Sequence, residues 1–159
     1  MATHHRTTIF LTLRPRTAAY LLANSALDTT PTGPAINLGQ EKYLAKYFAM
    51  ALRRPYFQFR PKLTTVQKAT LVHTAFILPK SIQHGTASPD VKEMLAEILN
   101  NHFTIIFLTY IRGHLRSHLS NLQAACQSFL SEHQIPEEAW SLDAAKKTAQ
   151  PHFKTPTHI

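Results

Sequence analysis

SPDVKEMLAEILNNHFTIIFLTYIRGHLRSHL, residues 88–119, is the stretch on which the fold turns. The Ser88 hydroxyl can cap a helix, Pro89 loses no hydrogen bond in a first turn, and the Asp90 carboxylate meets the positive end of the helix dipole. Beyond this start, Val91, Leu95, Ile98, Ile105, Leu108, Ile111, Leu115 and Leu119 recur at spacings of three, four or seven residues, which predicts one long helix reaching about Leu119. Phe103 to Ile111 is apolar nearly all round, so burial on several sides is expected, although the same run would also serve as a strand. That apolar run is far shorter than the roughly 20 residues of a membrane-spanning helix, and no span is expected. Gly113 is the expected weak point of the helix.

Downstream, Leu122 to Phe129 continues helically to a break at Ile135 and Pro136, with Glu137 and Glu138 read as the acidic start of the next element. Ser141 is placed to cap a helix over Leu142 to Ala149, which carries Asp143 early and Lys146 and Lys147 late, and Pro151 stops it. Upstream, Ile9, Leu11 and Leu13 alternate with Thr8, Phe10 and Thr12, the period of a strand with one buried face. Pro15 closes that strand and opens a short helix over Arg16 to Ala23, which Asn24 can end in a left-handed conformation. Residues 28–37, DTTPTGPAIN, read as a loop. Leu44, Phe48 and Leu52 make an apolar stripe on a helix over Gln40 to Leu52, ended by Pro55. Leu71 to Leu78 is β-branched and aromatic enough for a second strand, able to pair with the first. The expected architecture is α+β and mainly α-helical: a short two-stranded element near the N-terminus packed with a bundle of about four to five helices. Its bounds are those of a single domain over residues 1–154, with a tail at 155–159.

At 159 residues and 44% hydrophobic content the chain can bury a core without disulfides or metal. The single cysteine, Cys126, cannot form an internal disulfide, and the first residues lack the apolar stretch of a signal peptide, so a reducing, cytoplasmic setting is expected. Seventeen Lys and Arg stand against nine Asp and Glu, and their distribution is uneven. Through residue 80, eleven basic residues face two acidic ones; beyond it, six face seven. Such asymmetry points to a polyanionic partner, nucleic acid or an anionic surface.

Catalytic and metal chemistry find little support. His114 and His118 sit one turn apart, but a zincin needs Glu where Leu115 stands, and a third ligand is missing from the neighbouring sequence. Glu93 and Glu97, also four apart, read as a solvated helix face. Cys126, among Leu122, Ala125 and Phe129, reads as a small buried thiol. Phosphate-binding GxxxxGK and nucleophile GxSxG motifs are absent from the sequence, so neither an enzyme nor a cofactor is expected.

The strongest constellation is RRPYFQFRPK, residues 53–62. Arg53, Arg54, Arg60 and Lys62 can meet phosphates while Tyr56, Phe57 and Phe59 lie against bases or anchor the segment, and Pro55 and Pro61 lower its entropy cost on binding. Arg14 and Arg16, at the strand–helix junction, are further candidates. The opening strand and helix resemble half of a ribbon-helix-helix repressor, in which a dimer lays paired strands in the major groove; Thr8, Phe10, Thr12 and Arg14 would then face outward. Phe10 departs from the polar reader expected there, and the gap from Asn24 to Gln40 is long. The two C-terminal helices invite comparison with a helix-turn-helix, although only Lys146, Lys147 and Lys154 are basic in that region.

INLGQEKYLAKYFAMALRRP (36–55), the ILPKS strand end (77–81) and HQIPEEAWSLDAAKK (133–147) together resemble short mobile-element and prophage proteins of Bacteroidota. The resemblance implies an architecture and a mobile-element or phage context, and it carries no activity or functional residues. Two functions remain in view: a DNA-binding accessory or regulatory protein, with homo-oligomerisation open, and a non-enzymatic interaction or structural component of an assembly.

Overall fold

The computed structural model describes residues 7–52, 71–82, 88–118 and 120–153. Strand β1 (Thr8–Leu13), helix α1 (Pro15–Asn24), strands β2 (Leu27–Thr30) and β3 (Gly33–Asn37), helix α2 (Lys42–Leu52) and strand β4 (Val72–Ile77) precede a run of helices. These are α3 (Pro89–His118), α4 (Leu122–Glu132) and α5 (Leu142–Ala149). The α+β, mainly helical reading holds. The sheet differs from the expected pair of strands, since among the described residues it has four strands in the order β1-β4-β3-β2.

The extra pair is a hairpin in the segment read as a loop. Leu27 to Thr30 pairs antiparallel with Gly33 to Ile36, and the Thr30 hydroxyl donates to the Gly33 carbonyl at 2.7 Å across the turn. Gly33 adopts φ +120°, a conformation open to glycine. Pro34 fits because of the ladder's alternation. The Asn37 N–H donates to Ala26, so the backbone of residues 37, 35 and 33 faces β2, while that of Pro34 faces the other way. On that side the parallel ladder to β4 runs only from Ala35 to Asn37, ending where Pro34 has no N–H to give.

β1 and β4 pair antiparallel along their whole length, Thr8 opposite Ile77 and Leu13 opposite Val72. Ile9, Leu11 and Leu13 are buried on one face, as their alternation predicts. With Ile36, Phe76, Phe48 of α2 and Leu95 and Leu99 of α3 they form a first core. A second gathers Phe103, Phe107 and Ile111 of α3 with Cys126 and Phe129 of α4, Trp140, and Ala145 and Ala149 of α5. Tyr20 of α1 borders both, its ring 5.4 Å from Phe103 and 6.2 Å from Phe129.

Helix α3 serves both cores by a drift in its buried face. The large buried apolar side chains are Val91, Leu95, Leu99, Phe103, Phe107 and Ile111, a strict repeat of four, and the small Ala96 is buried as well. Four residues overshoot one turn by roughly 40°, so from Leu95 to Phe107 the face turns by roughly 120°. The two cores therefore lie on different sides of one shaft. The expected stripe missed this rotation, and Ile105, which it included, is 64% exposed. By length and composition alone α3 is apolar enough to cross a membrane, as a core helix can be; a third of its most apolar stretch is buried inside the fold, and no clear span is indicated among the described residues.

Helix ends follow local chemistry. The Ser88 hydroxyl accepts from the Val91 N–H, Asn121 from Ala124 and Ser141 from Ala144, each a side-chain N-cap. Asn24 ends α1 without turning left-handed: its amide donates to the Tyr20 carbonyl at 2.8 Å and Ser25 continues extended. The left-handed residue after a helix is instead Gln134, φ 53°, which lets the Ile135 N–H reach back to Leu130. Glu137 and Glu138 lie in the Pro136–Trp140 turn and do not start a helix, since α5 begins after Ser141.

Candidate nucleic-acid interface

Arg53, Arg54, Tyr56, Phe57, Phe59, Arg60 and Lys62 lie outside the described residues, and the structure locates the two ends of their stretch. One end is α2. Burial of Leu44, Phe48 and Ala51 against the first core leaves the opposite side of the helix to solvent. Lys42, Tyr43, Lys46 and Met50 are exposed there, Tyr43 by 81% and Met50 by 62%. The Lys46 ammonium sits 5.8 Å from the centre of the Tyr43 ring, a cation resting over an aromatic face. Glu41, the acid that precedes this helix, turns inward, and its carboxylate accepts the Ala26 N–H at 2.7 Å. The outer side of α2 is thus cationic and aromatic, and the chain leaves it directly into Arg53 and Arg54.

The other end is β4, whose first residue, Val72, pairs with Leu13, the neighbour of Arg14. Arg14 occupies the N-cap of α1 without a side-chain cap bond, since a guanidinium cannot accept. Its backbone N–H donates to Asn100 of α3 at 3.2 Å. Arg16 is differently placed. Its guanidinium carbon lies 5.0 Å from the Trp140 ring centre, and burial followed by the charge of Arg14 lowers its pKa to about 10. Arg14 and Arg16 are therefore electrostatic neighbours. Tyr47 of α2 meets α3 at His102, its hydroxyl 3.3 Å from Nδ1. Asn100 and His102 are roughly 200° apart around the helix, so Arg14 and α2 approach α3 from different sides.

Of the remaining candidates, His114 has structural partners and Cys126 is buried. His114 Nδ1 is 2.7 Å from the Ser120 hydroxyl, and its ring stacks on Tyr110 at 5.9 Å. Among the described residues no group of three metal-ligating side chains forms. Glu93 and Glu97 are part-buried rather than fully solvated, and Glu97 Oε2 is buried with no hydrogen-bond partner among the described residues. The Cys126 thiol is buried and pushed up to about 11 by desolvation, which leaves it protonated and inert at neutral pH.

Neither resemblance to a DNA-reading motif is matched by the elements around it. After β1 and α1 comes the β2–β3 hairpin where a ribbon-helix-helix has a second helix, and β4 of the same chain occupies one edge of β1. Between α4 and α5, Ile135 and Trp140 plug the second core, which makes the pair a closing hairpin rather than a projecting reader. Lys146 is tied to Gln123 of α4 at 3.2 Å. The solvent side of α2 was missed in the sequence, although Lys42, Tyr43, Lys46 and Met50 fall opposite the Leu44/Phe48 stripe and could have been read from it. No family model, curated protein or solved structure matches the chain.

Proposed function

We propose that the chain binds nucleic acid, DNA by preference, as an accessory or regulatory protein of a mobile element or phage. Its contact surface runs from the outer side of α2 into Arg53, Arg54, Arg60 and Lys62. The observation that carries this reading is the exposure of Lys42, Tyr43 and Lys46 on one side of a helix whose neighbouring carboxylate is held by the Ala26 N–H. Cations on a rigid helix continue into a cationic stretch that carries two prolines, within the part of the chain through residue 80 that holds eleven of the seventeen basic residues and only two acidic ones. Phosphate contacts require this charge, and bases require the interleaved rings.

The test is binding to a labelled duplex across a salt series. Each phosphate contact contributes roughly 0.9 to the slope of log affinity against log salt, so replacing Arg53, Arg54, Arg60 and Lys62 with Ala should flatten it by about 3 to 4. Lys42→Ala/Lys46→Ala should remove up to about 2 more. Truncating Tyr56, Phe57 or Phe59 should weaken single-strand binding by about 1 to 3 kcal/mol with little change in slope. An unchanged slope in the quadruple variant overturns the reading. The alternative, an assembly component, draws on the apolar exposure of Met50 and Ile105 and would show as a stable oligomer indifferent to DNA.

A further inference from the structure

The outer edge of β1 is built to pair with itself. The Leu78 N–H donates to the Thr7 carbonyl directly opposite, so in this antiparallel ladder the backbone groups of Ile9, Leu11 and Leu13 face β4. Those of Thr8, Phe10 and Thr12 consequently point away from β4, along what is the terminal edge of the sheet among the described residues. The usual protections of such an edge are a lysine, a proline, a bulge or a very short strand. TIFLTL has none of them: it is uncharged, lacks proline, and keeps six consecutive register pairs. Its one large side chain on the outer face, Phe10, is 44% exposed.

We propose that two copies of the chain join through β1, antiparallel about a two-fold axis at Phe10, merging two four-stranded sheets into one. The sequence about Phe10 is the argument for a second copy over any other strand. Thr8-Ile9-Phe10-Leu11-Thr12 reads alike in both directions, so the symmetric pairing sets Thr against Thr, Phe against Phe and Ile against Leu. Cross-strand threonine and aromatic pairs are favourable ones, and an isologous interface needs this self-match. No charge enters the five paired positions, and Arg14 falls outside them, where the chain turns into α1. The three outward-facing residues supply a donor and an acceptor each, and the symmetric register uses Phe10 against Phe10 as a hydrogen-bonded pair.

Sedimentation velocity across a wide concentration range tests this. The wild-type chain should dimerise, and Phe10→Lys should weaken the dimer at least tenfold while leaving circular dichroism unchanged. Phe10→Pro is the second variant: it removes a donor that points outward and leaves the ladder to β4 intact. A site-specific probe completes the test. Hydrogen-bonded antiparallel partners have Cα atoms about 5.5 Å apart, within the disulfide range of about 4.4 to 6.8 Å. Phe10→Cys with Cys126→Ala should therefore form a covalent dimer on mild oxidation. A monomeric wild type at high concentration, a dimer untouched by both Phe10→Lys and Phe10→Pro, or failure of the folded cysteine variant to cross-link would each overturn the proposal.

Discussion

Arg16 holds its charge against the face of Trp140, which gives it a role in packing. Replacing it with Ala should cost about 0.5 to 2 kcal/mol of stability and shift the emission of the chain's single tryptophan, while leaving the salt dependence of DNA binding unchanged. A flattened salt slope would instead return Arg16 to the contact set. His133 packs against Phe129 at 4.5 Å and Tyr20 at 5.1 Å, with Nδ1 3.1 Å from Asn24 Oδ1. Burial holds its pKa below the usual 6.5, with Glu132 pulling the other way. The unfolded chain thus takes the proton first, so the stability it contributes is full above pH 6.5 and falls as the pH drops from there toward the folded value. Urea midpoints of wild type and His133→Gln, compared through this window, should converge as the pH falls; parallel curves would place the acid sensitivity among the other histidines.

Two positions, one inside a helix and one just past a helix end, carry residues that their backbone does not favour. Gly113 lies inside α3 with nothing within 4 Å of where a Cβ would go, so Gly113→Ala should stabilise by roughly 0.5 to 1 kcal/mol. Gln134 holds a left-handed φ of 53° after α4, where its Cβ is crowded and a glycine would not be, so Gln134→Gly should likewise gain about 1 kcal/mol. Thermal midpoints of the two single variants and their combination check both. Most elements were legible because their signals are local: the Ser88-Pro89-Asp90 start, the Ser141 cap, the alternation in β1. The β2–β3 hairpin was not. Asp28 to Asn37 has the composition of a loop, and it forms strands because Ala35 and Ile36 pair with Ala75 and Phe76, contacts set by distant sequence. The buried face of α3 was read correctly at Val91, Leu95 and Ile111 and missed at Leu99, Phe103 and Phe107, since a drift that serves two cores averages out in any single stripe.

For the molecule as a whole, the cationic stretch and its flanking arginines were legible as charge, and the outer side of α2 was legible as the face opposite the Leu44/Phe48 stripe, although only the stripe was read. β4, one of the two inner strands, is the last of the four in chain order, and it joins β1 to the β2–β3 hairpin. During synthesis β1, α1, the hairpin and α2 all emerge before the strand that unites them, so the first core must wait on the closure of a long loop. Contacts among α3, α4 and α5 are local by comparison, and pulsed hydrogen exchange during refolding should protect these helices ahead of β1. In that interval the uncharged TIFLTL segment has both edges open, which makes the nascent N-terminal half the part of this protein most in need of a chaperone's cover.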